Sequence, residues 1–100
     1  MLQLVRQFNF ESILIHFILY SRSYCHLCDD MLAALRALSK EFVFHVSVVD
    51  VDADESLIAQ YDELVPVLVG KKSEEDMVQL CHYFLDLDKV RAFLLDSATS

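Results

Sequence analysis

The order of apolar and polar segments predicts an α/β fold, with element order β-α-β-α-β-β-α around a mixed four-stranded sheet. Three observations carry this. Continuous apolar runs rich in β-branched and aromatic residues, "ILIHFILY" (13–20) and "FVFHVSVV" (42–49), read as buried strands. Between them the apolar positions switch to helical spacing, so these two strands form a parallel pair joined by a right-handed crossover. Two further apolar runs flank the polar turn "KKSEED" (71–76) and read as an antiparallel hairpin.

Residues 1–12 show no period and read as a partly ordered leader, which places the domain at 13–97. The first strand covers Ile13 to Tyr20, and "SRSYC" breaks it as a short loop. From His26 to about Lys40 the period is helical, with Cys28, Met31, Leu32, Leu35 and Leu38 on one face. Phe42 opens the second strand. In the "DVDADES" that follows, Asp52 and Glu55 have the spacing of a capping pair, which starts a short helix through about Tyr61. "LVPVLVG" is a strand opening on the only proline and closing on the only glycine. "MVQLCHYF" is the fourth strand. Asp86 or Asp88 then caps a last helix through Leu95, whose apolar face is Val90, Phe93 and Leu94.

Composition narrows the function. One hundred residues, 55% hydrophobic with a single Gly and a single Pro, describe one compact domain and exclude a low-complexity chain. A net charge of −8 repels phosphate backbones and anionic lipid, so neither nucleic acid nor a membrane surface is expected as a partner. "ILIHFILY" is too short to span a bilayer, and "SRSYC" after it lacks a small-x-small cleavage site. The expected compartment is therefore the reducing cytoplasm, where a CxxC is catalytic or metal-binding more often than a structural staple.

The chemistry concentrates in "YCHLCDD" (24–30). Cys25 falls just before the first helix, where unpaired N–H groups and the helix dipole favour a thiolate. Cys28 shares the apolar face with Met31 and Leu32, so it is the inner thiol. That asymmetry suits a dithiol in which Cys25 attacks a disulfide and Cys28 resolves the mixed disulfide. Arg22 and a protonated His26 favour the thiolate, whereas Asp29 and Asp30 oppose it as like charges. His26 is equally readable as a solvated first-turn residue. The pair also reads as half of a zinc site completed by Cys81 and His82, or by His26; adjacent strand residues at 81–82 point to opposite faces and argue against it. Cys81 reads as a small hydrophobe, and His16 and His45 as structural strand residues.

Val65-Pro66 is the second element. The plain reading is a trans proline opening an edge strand. The element order brings it beside the first strand, near the CxxC, where a cis bond would turn the Val65 backbone outward to pair with an extended peptide or thiol.

With "LYSRSYCHLC" joining strand to helix and "VVDVDADESLIAQYDELVPVLV" following, the chain resembles the thioredoxin superfamily, and within it the short bacterial glutaredoxin-like proteins with a CHLC motif. The resemblance covers about residues 13 to 96. It implies a thioredoxin-like, glutaredoxin-type three-layer α/β/α fold, with Cys25 attacking, Cys28 resolving, and Val65 and cis-Pro66 lining the substrate groove. Tyr24 stands where thioredoxins carry an aromatic before the first cysteine. Asp88 takes the place of the acid that meets the amino end of glutathione in glutaredoxins, although its own residue reading is a helix cap.

Three positions depart from the pattern. Leu19 replaces the buried acid of thioredoxins, "HYFLDLD" replaces the glycine pair before the last helix, and Asp29 and Asp30 would repel the carboxylates of glutathione. The expected function is thus a monomeric thiol–disulfide oxidoreductase with no bound cofactor. It acts on a disulfide-containing protein or low-molecular-weight thiol, with glutathione a weakly supported co-substrate. The alternatives are a binding module of the same fold and a CxxC metal-binding module.

Overall fold

The computed structural model describes residues 14–73 and 75–99, so the leader read at residues 1–12 lies outside the described residues. The elements are β1 (Ile15–Ser21), α1 (His26–Ala37) ending in a 3-10 turn (Leu38–Lys40), β2 (Phe44–Asp50), a 3-10 turn (Val51–Ala53), α2 (Glu55–Tyr61), β3 (Val67–Ser73), β4 (Asp76–His82) and α3 (Leu87–Thr99). The sheet order is β2-β1-β3-β4. β1 and β2 are parallel, and β1–β3 and β3–β4 are antiparallel. This is the mixed sheet expected from the sequence.

Alternation along β1 divides the core between two faces. Ile15, Phe17 and Leu19 point to one side, where they pack with Met31, Leu35 and Leu38 of the α1 segment and with Val90 and Leu94 of α3. Ile18 and Tyr20 point to the other, toward Val51, Tyr61, Val67 and Leu57. The layers are therefore α1 and α3, then the sheet, then α2. Burying each large apolar side chain contributes about 2 kcal/mol, so packing rather than propensity holds these helices. The face under α2 is only half-buried along β1, because a seven-residue helix is too short to cover it.

Several sequence-based expectations are corrected. β2 is an edge strand, not one buried on both faces: His45, Val48 and Asp50 are exposed because β2 has a neighbour on one side only. The cap of α2 is Asp54, not Asp52 with Glu55; its Oδ1 accepts from the Ser56 N–H at 2.8 Å and the Ser56 hydroxyl at 2.7 Å. Asp52 is left inside the 3-10 turn that Asp50 caps. α3 is capped by Asp86, whose Oδ1 accepts from the Lys89 N–H at 3.1 Å, so Asp88 is a first-turn residue and not the cap. The strand pairing also consumes Lys71 to Ser73 and Asp76, residues read as turn, and β4 stops at His82.

Gly70 does not close its strand but sits in the middle of β3, between Phe17 on β1 and Val78 on β4. Its role is close approach. A Cβ there would lie 2.6 Å from the Phe93 ring and 3.0 Å from Leu80 Cδ1. That ring is held by Phe17, at 6.0 Å between centroids, and by the Lys72 ammonium 4.9 Å above it. Lys72 also pairs with Asp96, and Arg91 with Glu41, each at 2.9 Å, tying α3 to β3 and to the start of the β2 connection. Such exposed pairs contribute little, so the Gly70–Phe93 fit is the stronger constraint on α3.

Gly70→Ala should therefore destabilise the protein by about 1–3 kcal/mol in urea unfolding, and by measurably less when Phe93→Leu makes room. Asp54 provides a pH signature. Its bonds from Ser56 hold the carboxyl below the usual carboxylate range. A lowered folded pKa stabilises above the unfolded value and is lost as pH falls through the folded one. The stability deficit of Asp54→Ala should thus be full at neutral pH and shrink below about pH 4, read as converging melting temperatures.

Candidate functional site

The strand registers collect one set of loops at a single end of the sheet. Ser21, the last residue of β1, is level with Asp50 of β2. Tyr20 pairs with Val67, the first residue of β3, which in turn pairs with His82, the last of β4. The β1–α1 loop with Cys25, the segment entering β3 with Pro66, and the β4–α3 turn with Tyr83 therefore meet at that end.

Cys25 and Cys28 form a disulfide with Cα atoms 5.2 Å apart. Tyr24, at φ 58°, turns the chain out of β1 and leaves its side chain fully exposed beside Cys25. Cys25 then takes extended geometry as the N-cap of α1. Its Sγ accepts the Cys28 N–H at 3.1 Å, while its carbonyl takes the first helical bond from the Asp29 N–H at 3.2 Å. Cys28 is 4% exposed and Cys25 only half-buried. In the reduced protein a charge on the Cys25 sulfur meets a donor N–H and the positive end of a twelve-residue helix.

The flanking charges behave differently from the reading that gave Arg22 to the thiolate. The Arg22 guanidinium forks between Asp52 and Asp62, each at 2.8 Å, with a further bond to the Asp62 carbonyl at 3.4 Å. These two carboxylates hold it well above the usual range, and their charges offset its own. Arg22 is thus a brace joining the β1 exit to the loops on either side of α2. His26 is exposed and lies 3.6 Å from Asp30 in the next turn. Asp29 is exposed as well, so the start of α1 presents carboxylates to solvent.

The Val65–Pro66 peptide bond is cis. The Val65 N–H is not free for a partner strand; it donates to the Tyr61 carbonyl at 3.2 Å, beside the Leu64 N–H at 2.8 Å. Tyr61 is anchored in turn by stacking on Tyr20 at 4.5 Å, and burial pushes its hydroxyl pKa up. Asp88 lies exposed in the first turn of α3, at the same end of the sheet.

Sequence reasoning missed Tyr83. Its N–H donates to the Pro66 carbonyl at 2.9 Å and its hydroxyl to the Glu63 carbonyl at 2.7 Å. The available signal was that "HYFLDLD" stands where a glycine pair was expected, a place that needs positive φ; Tyr83 has φ 65°. Cys81 lies apart from the disulfide on β4, with its thiol pKa pushed up by burial. His16 is held by Ser47 at 2.7 Å. Among the described residues no three His, Cys, Asp or Glu side chains gather as a metal site, and no helix is long and apolar enough to cross a membrane.

The exposures and the helix start set an order of thiol reactivity. After reduction, iodoacetamide at pH 7 should modify Cys25 at least about tenfold faster than Cys28 or Cys81, as read by mass spectrometry of timed digests.

Comparison with known proteins agrees with this geometry. Residues 16–95 match the family described as Glutaredoxin-like domain (DUF836). A Nitrosomonas europaea protein solved by NMR is 42% identical, over 80% of this chain and 91% of that one, with a TM-score of 0.71. Fasciola hepatica thioredoxin is 21% identical, covering 94% and 90% of the two chains at a TM-score of 0.63. Mitochondrial thioredoxin 3 of Saccharomyces cerevisiae, in its oxidized form, is 14% identical over 92% and 89% at 0.62. These last two likenesses concern the fold alone. No curated protein matches the chain. The fold is thioredoxin-like, and the chain belongs to the glutaredoxin-like domain family.

Proposed function

We propose that this protein is a small thiol–disulfide oxidoreductase that reduces disulfides through Cys25 and Cys28. The observation that carries the reading is the asymmetric pair at the start of α1, with an outer sulfur that accepts an N–H and an inner one that is buried. The Cys25 thiolate attacks one sulfur of the substrate disulfide, and the other sulfur leaves as a thiolate that takes a proton. Cys28 then loses its proton and attacks Cys25. This closes the Cys25–Cys28 bond and releases the second substrate thiol. Two electrons and two protons pass to the substrate, and an external thiol reductant restores the dithiol.

The exposed Tyr24 and the half-buried Val65 offer the substrate a surface at that end of the sheet, whereas the Pro66 side chain is fully buried beneath it. Because the Val65 N–H is engaged with Tyr61, the Val65 carbonyl is the group of that residue left for an extended substrate. Exposed Asp29, Asp30 and Asp88 disfavour an anionic tripeptide, which supports a protein disulfide over glutathione. The reading requires no bound cofactor and places the protein, as a monomer, in a reducing compartment such as the cytoplasm.

Reduction of a fluorescently quenched disulfide-linked peptide, with dithiothreitol as electron source, tests the assignment. Cys25→Ser should lower the rate by about a hundredfold or more. With the protein pre-reduced and dithiothreitol then removed, Cys28→Ser should retain attack and accumulate a mixed disulfide with the peptide, visible by mass. If Cys28→Ser accumulates none, the protein is a binding module.

A further inference from the structure

The segment Asp62–Pro66 carries no regular structure, yet it is the part of the chain facing the dithiol end from β3. Leu64 and Val65 pack against the core, and Pro66 is buried. The Leu64 and Val65 N–H groups bond to the Tyr61 carbonyl, and two outer braces hold the rest of the segment's backbone. On one side Arg22 holds Asp62 through both side chain and carbonyl. On the other side, Tyr83 alone provides two anchors, its N–H on the Pro66 carbonyl and its hydroxyl on the Glu63 carbonyl.

The conformation of Tyr83 makes both bonds possible. The Phe84 N–H donates to the His82 carbonyl at 2.7 Å, closing a three-residue turn centred on Tyr83 at φ 65°. A turn of this kind is strained for a residue with a Cβ and suits glycine better. A tyrosine there gives up local comfort for a hydroxyl that reaches main chain twenty residues away. Its ring stands edge-on against His82 at 4.5 Å, which fixes the direction of the phenol. At 40% exposure the ring is not a core residue, so burial does not account for it.

We propose that Tyr83 is a positioning residue for the Cys25–Cys28 site, its N–H and hydroxyl holding the Glu63–Pro66 segment where an extended substrate meets it. This rests on the oxidoreductase reading given above. Tyr83 touches neither sulfur, so it acts on how substrate binds and not on the thiol chemistry.

The test uses Tyr83→Phe, which removes only the hydroxyl, and Tyr83→Gly, which removes the side chain, keeps the N–H and relieves the positive φ. The probe is the quenched disulfide-linked peptide with dithiothreitol. Both variants should raise KM about three- to tenfold, the loss expected for one neutral hydrogen bond. They should leave kcat, the reduction potential of the Cys25–Cys28 pair and the pH profile of Cys25 alkylation unchanged. Amide hydrogen exchange at Leu64 and Val65 should speed up in both. An unchanged KM in an active Tyr83→Phe protein overturns the proposal, as does a shifted potential or a fall in kcat at constant KM. A wild-type protein that reduces no disulfide overturns the oxidoreductase reading and this proposal with it. Faster exchange at Leu64 and Val65 would still show that Tyr83 holds the segment.

Discussion

β1 is hydrogen-bonded on both edges, to β2 in parallel and to β3 in antiparallel register. This double pairing is the constraint on which the rest depends. It buries Ile15, Phe17 and Leu19 completely enough to seat α1 and α3 on one face. The antiparallel pairing of β1 with β3 then brings the exit of β1 and the entry of β3 to the same end of the sheet. A dithiol at the start of α1 and a proline before β3 come to the same end of the sheet through strand order, direction and register, although 41 residues separate Cys25 from Pro66 (66 − 25).

Close packing and charge serve different purposes in this fold. The α3 helix is located by contact: Gly70 is small enough for the Phe93 ring to press against the middle of β3. The ion pairs of Lys72 and Arg91 lie at the rim and add little energy. At the functional end both act together. There the loops are irregular: Leu64, Val65 and the buried Pro66 pack inward, and hydrogen bonds from Arg22 and Tyr83 to main-chain carbonyls brace the same segment. A site built this way keeps a defined backbone without a covering layer, which leaves the Cys25 side open to a large partner.

Arg22 shows how charge can be read wrongly from proximity in sequence. It stands three residues before Cys25 and invites the role of thiolate partner. Its two carboxylates lie thirty and forty residues away, and they occupy its fork. The thiolate is left with the Cys28 N–H and the helix dipole as its stabilising groups, against exposed Asp29 and Asp30. Asp54 makes the same point on a smaller scale. The capping spacing of Asp52 and Glu55 was present in sequence, but the 3-10 turn at Val51–Ala53 shifted the helix start by two residues and freed Asp52 for Arg22.

Element order, the apolar face of α1 and the outer and inner ranks of the two cysteines were determined by the sequence alone, because each follows from spacing within a few residues. Hydrophobic period sets which side of a helix is buried, and one turn of helix carries Cys28 inward from Cys25. The exposed edge of β2, the fit of Gly70 under Phe93, the brace at Arg22 and the anchor at Tyr83 were decided by tertiary structure. Each depends on strand order and register, which bring together residues twenty or more positions apart. No local pattern encodes such a pairing, since its energy exists only once the β1–β3–β4 ladder has formed.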